Sequence, residues 1–160
     1  MSSSDLAKAV YQALLAKHMT LAVAESCTGG MLGAAMTDLP GVSAVFRGGV
    51  IAYHNDVKQS VLNVPAVQMA NNGAVSELCA KSMARNVANM TQSSLGVSLT
   101  GIAGPEGGTV DKPVGLVYIG LSHAGHTHVH THYFAGDRKA VRQQAVAAAL
   151  VHIIQLLHAV

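Results

Sequence analysis

The chain has 160 residues, half of them hydrophobic, which is the size of one compact domain with a sizeable core. Charged residues make up only 11% and the formal net charge is +2, with no basic block, so a surface built on nucleic-acid phosphates is excluded. Aromatic residues amount to 4% with no Trp, which leaves no base-stacking platform, and Ala, Val, Leu and Gly must build a core of closely packed helices on a sheet.

Ser4 and Asp5 are capping candidates ahead of apolar residues at 6, 9, 10, 13 and 14, which predicts a helix over residues 5–17. Residues 20–24 read as a buried strand. A helix follows from Met31 to about residue 38, where Pro40-Gly41 stops it. Residues 45–53 read as a second strand, with Gly48-Gly49 letting another backbone approach. Asn55 is the expected N-cap of a short helix holding Asp56, Lys58 and Leu62. Pro65 opens another short helix that ends by Gly73. Apolar residues at 78, 79, 83, 87 and 90 predict a helix over 76–91. A strand over 95–99 leads into a Gly/Pro-rich loop at 101–113. Strands over 114–122 and 127–134 form a hairpin around Ala124-Gly125, and a helix over 138–158 closes the chain. There is no internal repeat. Strands interleaved with helices, then a hairpin, imply one domain over 1–160: a three-layer α/β/α sandwich with a mixed sheet.

The most informative stretch is Ala24-Glu25-Ser26-Cys27-Thr28-Gly29-Gly30. It sets a serine on a strand-to-helix turn, with N–H groups near Thr28, Gly29 and Gly30 aimed at a bound anion or a developing oxyanion. Ser26 is then a nucleophile; the ordinary structural reading is a capping serine with glycines for tight packing. It matches neither the G-x-S-x-G elbow nor the phosphate loop ending in G-K-[ST]. A hydroxyl needs a base. The candidates are Tyr53, at a strand end, and Lys58, in the first turn of the next helix. The positive helix end and burial would both lower the lysine pKa. The alternative is a solvated lysine beside a structural tyrosine.

Thr100 ends a third strand and opens Gly101-Ile102-Ala103-Gly104-Pro105-Glu106-Gly107-Gly108, a loop able to cradle a phosphate or to serve as a plain connector. Arg138 and Arg142 begin the last helix, where the dipole disfavours a cation, so a bound carboxylate or phosphate is one reason for them and surface solvation the other. His126, His128, His130 and His132 share one strand face. They could take up a transition metal, but they read as a solvated edge, since no Cys or carboxylate lies nearby in sequence to complete a site. Cys27, beside Ser26, reads as a small buried residue.

Two cysteines give no disulfide framework, no signal peptide is recognisable, and no uninterrupted apolar run reaches about 18 residues. The expectation is a cytoplasmic protein without membrane or nucleic-acid partners. Exposed apolar surface at this composition favours a homo-oligomer, a dimer or larger.

Taken together, AESCTGG at 24–30, GVIAYHNDVK at 49–58, GAVSE at 73–77, TGIAGPEGG at 100–108, KPVGLVY at 112–118 and GDR with a following VR at 136–142 resemble the C-terminal domain of the CinA (competence/damage-inducible) family. That family includes stand-alone bacterial nicotinamide-nucleotide amidases. The resemblance runs in order along nearly the whole chain. It implies hydrolysis of nicotinamide mononucleotide to nicotinate mononucleotide and ammonia, with Ser26 as nucleophile and Lys58 as base. Tyr53 and Thr100 would assist proton movement or hold substrate. The turn residues Thr28, Gly29 and Gly30, the loop residues Gly101, Gly104, Gly107 and Gly108, and an arginine, Arg138 ahead of Arg142, would bind the nucleotide. No metal or organic cofactor is implied. Larger members carry an additional N-terminal molybdopterin-binding-like domain, and some paralogues have little amidase activity. Glu106 stands where the family often has Asp, and the histidine tract is no part of its pattern. The rival readings are a non-catalytic nucleotide-binding or regulatory domain, and a hydrolase of a different amide.

Overall fold

The computed structural model describes residues 1–160. Six helices are α1 (Ser3–Ala16), α2 (Met31–Thr37), α3 (Asn55–Ser60), α4 (Ala66–Asn72), α5 (Glu77–Thr91) and α6 (Arg138–Ala159). Five strands are β1 (Leu21–Glu25), β2 (Phe46–Ile51), β3 (Leu95–Gly101), β4 (Leu116–His123) and β5 (His126–Tyr133). They form one sheet in the order β2-β1-β3-β4-β5; β1 runs parallel to β2 and β3, and β4 and β5 add on antiparallel.

β1 is buried along its whole length, as its unbroken Leu21-Ala22-Val23-Ala24 run requires of a strand covered on both faces. Alternation along it divides the core. Leu21 and Val23 join the larger cluster with α1, α2 and α6, while Ala22 and Ala24 join a smaller one with Cys79, Met83 and Val87 of α5. Helices therefore cover both faces of the mixed sheet, and the expected three-layer α/β/α sandwich is present. Glycine permits close backbone approach at two places: a Cβ on Gly49 would lie 2.2 Å from the Val23 carbonyl oxygen of the adjacent strand, and one on Gly96 would lie 2.1 Å from that of Ala84 in the helix layer above.

The apolar content of α6 goes into this core. The helix is long and apolar enough to cross a membrane by composition alone, with mean hydropathy 1.3. Here Val141, Ala145, Val146, Ala149, Leu150, Ile153 and Leu157 are buried, within the same cluster as Leu6, Val10 and Leu14 of α1.

Most element boundaries fall within two residues of those expected, and two caps differ. Ser2, not Ser4, caps α1: its Oγ accepts the Asp5 N–H at 3.1 Å, and the Asp5 carboxylate accepts the Ser2 N–H at 3.0 Å. His54, not Asn55, caps α3, its Nδ1 accepting the Asp56 N–H at 3.1 Å. β3 runs on to Gly101 because Thr100 and Gly101 pair with Tyr118 and Val117 of β4.

The chain leaves β1 for β2 on one side, then returns past β1 to β3 on the other. Such a reversal opens a crevice at the carboxyl ends of the parallel strands. Ser26, Tyr53 and Thr100 stand at those three ends.

Candidate active site

Ser26 directly follows β1, and its N–H donates to the Leu99 carbonyl of β3 at 2.9 Å. The hydroxyl is thus carried at the end of a fully buried inner strand of the sheet. Lys58 comes from α3, and its side chain turns inward until only 2% of the residue is exposed. Its Nζ lies 2.8 Å from Ser26 Oγ and donates to the Tyr53 carbonyl at 3.1 Å. No carboxylate joins them: no Asp or Glu oxygen lies within 4.0 Å of the Lys58 amine. Burial without a counter-charge disfavours the ammonium and holds the Lys58 pKa below the ordinary lysine value. The two nearby thiols supply no negative charge at neutral pH, because burial pushes Cys27 and Cys79 up to about 11. The lysine is thus tuned chiefly by burial, with α3 only six residues long.

The turn after Ser26 is held by a residue to which the sequence reading gave no role. Glu25 is 1% exposed. Its carboxylate accepts the Thr28 hydroxyl at 2.6 Å and the N–H groups of Leu32 and Gly33, each at 2.9 Å. A buried carboxylate is tolerable when its oxygens are satisfied in this way at a helix N-terminus. The signal was available in principle, as an acidic residue ending an apolar strand just before a helix. Replacing Glu25 by Gln sets an amide donor against backbone donors. The expected result is a loss of about 1–3 kcal/mol of stability in urea unfolding; an unchanged midpoint would refute the assignment.

Several expected site residues take other tasks. Thr28 is fully buried on Glu25. Gly29 spends its N–H on the Ser26 carbonyl at 3.0 Å, and Gly30, at φ 104°, packs towards Ile51. These three shape the turn and do not line the cleft. The N–H groups of Cys27 and Thr28 are left without a backbone acceptor. Arg142 is engaged by the turn itself: its Nε donates to the Cys27 carbonyl at 3.0 Å and its Nη2 to the Thr28 carbonyl at 3.2 Å. That clasp fixes the serine turn to α6. Gly108 packs on Val114, whose N would lie 2.7 Å from an added Cβ.

A cleft of about 260 Å³ does contain Ser26, Lys58, Tyr53, Thr100, Gly101, Gly104, Gly107 and Arg138. Asn55 and Glu106 also line it. Thr100 donates its hydroxyl to the Ala74 carbonyl at 2.8 Å, which braces the segment between α4 and α5. Tyr53 acts on the lysine through its main chain. Its phenol lies at the mouth, 57% exposed, where it accepts from Arg138 Nη2 at 2.7 Å. Arg138 Nη1 donates to the Gly104 carbonyl at 2.8 Å. Of the two arginines, Arg138 alone lines the cleft.

Fold and site together define a three-layer α/β domain with a buried hydroxyl–amine pair at the carboxyl edge of its parallel strands. Residues 3–157 match the CinA C-terminal domain, and the chain belongs to that family. CinA-like proteins of Dictyoglomus turgidum and Thermotoga neapolitana are 48% and 42% identical over 139 and 153 residues, 87% and 96% of this chain. The chain spans about a third of their length, 34% and 37%. The crystal structure of a CinA superfamily protein from Klebsiella pneumoniae 700603 superposes with a TM-score of 0.97 at 32% identity, covering 100% of both chains. The competence damage-inducible protein A from Klebsiella pneumoniae subsp. pneumoniae MGH 78578 gives 0.96 at 34% identity, covering 99% of this chain and 98% of its own.

Proposed function

We infer that this chain is an amidohydrolase that converts nicotinamide mononucleotide to nicotinate mononucleotide and ammonia by serine–lysine catalysis. The observation that carries the reading is the 2.8 Å approach of a buried Lys58 amine, free of any carboxylate, to Ser26 Oγ. Burial lowers the pKa of a lysine so placed and thereby favours the neutral amine that a general base needs.

In the reaction, the Lys58 lone pair takes the Ser26 proton as Oγ attacks the carboxamide carbon. The tetrahedral oxyanion is met by the Cys27 N–H, which has no backbone acceptor and belongs to a residue lining the cleft; such a donor is worth about 3 kcal/mol in comparable sites. The Lys58 ammonium returns its proton to the departing nitrogen, and ammonia leaves. Water then attacks the nicotinoyl ester, with Lys58 again accepting the proton and Ser26 Oγ taking it back. The Tyr53 carbonyl holds Nζ in place throughout. The N–H groups of the loop around Gly104 and Gly107, with the donors of Arg138 not already engaged, receive the 5′-phosphate. Binding at that distance orients the amide.

The deciding experiment incubates purified protein with nicotinamide mononucleotide and follows ammonia and nicotinate mononucleotide. Equal release of both products is expected. Binding without release would identify a non-catalytic nucleotide-binding domain, and inertness towards this substrate with hydrolysis of another amide would keep the dyad and change the substrate.

A further inference from the structure

The two edges of the sheet are built differently. β2 carries the usual guards against edge-to-edge pairing: it is six residues long, its register shifts against β1, Gly48 sits at φ 133°, and Arg47 adds a charge. β5 has none of these. Its eight residues pair with β4 in unbroken register, and no Asp, Glu, Lys, Arg or Pro occurs from Val114 to Gly136. No residue of β5 is fully buried. A recess of about 770 Å³ follows the strand, walled by Glu77 and Lys81 of α5 and by His152 and Gln155 of α6, so the edge lies open between the two helix layers. Hairpin geometry says which groups this edge offers. Ala124 and Gly125, at φ 51° and 79°, form a two-residue turn that closes on a hydrogen-bonded His123–His126 pair. Alternation then turns the N–H and C=O of His126, His128, His130 and His132 towards β4, and those of Thr127, Val129, Thr131 and Tyr133 outward. Phe134 keeps the same step, its N–H donating to the Gly115 carbonyl at 2.9 Å. No turn, loop or helix of the chain supplies the outward groups with a partner.

We propose that β5 is a surface for a second copy of this chain: the two β5 strands join antiparallel about a two-fold axis at Val129, and one sheet runs through both copies. The strand's own sequence argues for this occupant over any other. His126-Thr127-His128-Val129-His130-Thr131-His132 reads the same in both directions. An isologous interface needs such self-complementarity. Turned about Val129, the run sets Thr127 against the partner's Thr131 and Val129 against its twin. Threonine pairs are favourable across strands, and no like charges of Asp, Glu, Lys or Arg meet. The axis also pairs outward residues with outward residues. Each outward donor from Thr127 to Thr131 then meets an acceptor, about six main-chain hydrogen bonds in all. The strand is ordered before it pairs, since His130 stacks on His152 of α6 with centroids 3.7 Å apart, so less freedom is lost on association.

The test is sedimentation equilibrium of the purified chain at pH 8. Dimer is expected to predominate at about 100 µM chain, the range of a small interface. Thr131→Pro removes one outward N–H and leaves the β4 ladder whole, because proline is tolerated where a strand N–H faces solvent. It should raise the dissociation constant about tenfold or more. Val129→Lys sets two ammonium groups opposite each other on the axis and should do the same. Val67→Lys, at an exposed apolar residue of α4, should change the constant less than about threefold. In the natural chain, the amides of Thr127, Val129 and Thr131 should exchange hydrogen more slowly at high protein concentration than at low. Circular dichroism checks that each variant folds, and either edge variant suffices. A chain monomeric at about 100 µM, a dimer undiminished in a folded edge variant, a dimer lost in Val67→Lys, or exchange at those amides indifferent to concentration would overturn the proposal.

Discussion

Ser26→Ala is expected to lower kcat for release of ammonia from nicotinamide mononucleotide by a factor of about 10³ or more, with the fold intact. The methyl group keeps the backbone bond to Leu99 and removes only the oxygen that forms the ester. The neighbouring thiol cannot substitute. Cys27 is buried, and its pKa of about 11 leaves it protonated at neutral pH, so it lacks the thiolate on which cysteine nucleophiles depend. Cys27→Ala should therefore keep most of the activity. The measurement is initial rate under saturating substrate, paired with substrate affinity by calorimetry. Ser26→Ala should bind nicotinamide mononucleotide within a few-fold of the natural chain, because the proposed phosphate contacts lie in the loop and at Arg138. A variant that still turns over at the natural rate would remove Ser26 from the chemistry and leave only a binding role for the cleft.

The contrast between Ser26 and its neighbours shows where sequence reasoning reached and where it stopped. A buried parallel strand is legible because it needs an unbroken apolar run, and β1 has one. The hairpin is legible from Ala124-Gly125 between an apolar segment and an alternating one. The serine and the lysine are legible as residue types at strand ends, and the family resemblance ties them together. The direction of a side chain at a strand end is another matter. Tyr53 turns its carbonyl to Lys58 and its phenol to Arg138, a division that no local pattern announces. Arg142 reads as a cation wasted at a helix start until the carbonyls of Cys27 and Thr28, over a hundred residues earlier, are brought beneath it. The same holds for His152, whose partners His130 and His132 lie on β5. What is lost in each case is a pairing made by tertiary packing, where one residue's partner is chosen by the crossing of two layers and not by its neighbours in the chain. Caps fail for a smaller reason. Ser2, Ser3 and Ser4 are equivalent in composition, and only the reciprocal bond with Asp5 selects the first.

Lys58→Met is expected to lower kcat/KM by a factor of about 100 or more, the usual scale for a general base, and to change the pH response in two separable ways. Methionine has nearly the same length and fills the same buried channel, so the packing of α3 on the sheet survives. In the natural chain the base must be neutral. The rate should climb with pH through the lowered Lys58 pKa, giving an ascending limb below the ordinary value of 10.5. The residual rate of Lys58→Met should lack that limb. Stability follows the same titration with its own sign. Between the folded Lys58 pKa and 10.5, the unfolded chain holds a proton that the folded chain does not. Unfolding there takes up a proton, so the natural protein gains stability as pH rises through that window and levels off above it. Lys58→Met has no proton to bind in either state. The difference in unfolding free energy, natural minus variant, should therefore rise with pH across the window, whatever the offset caused by leaving the Tyr53 carbonyl without its donor. Chemical denaturation at a series of pH values measures this directly. A flat difference would mean that the lysine titrates as an ordinary solvated amine. Unchanged catalysis in Lys58→Met would mean that the proton of Ser26 goes elsewhere.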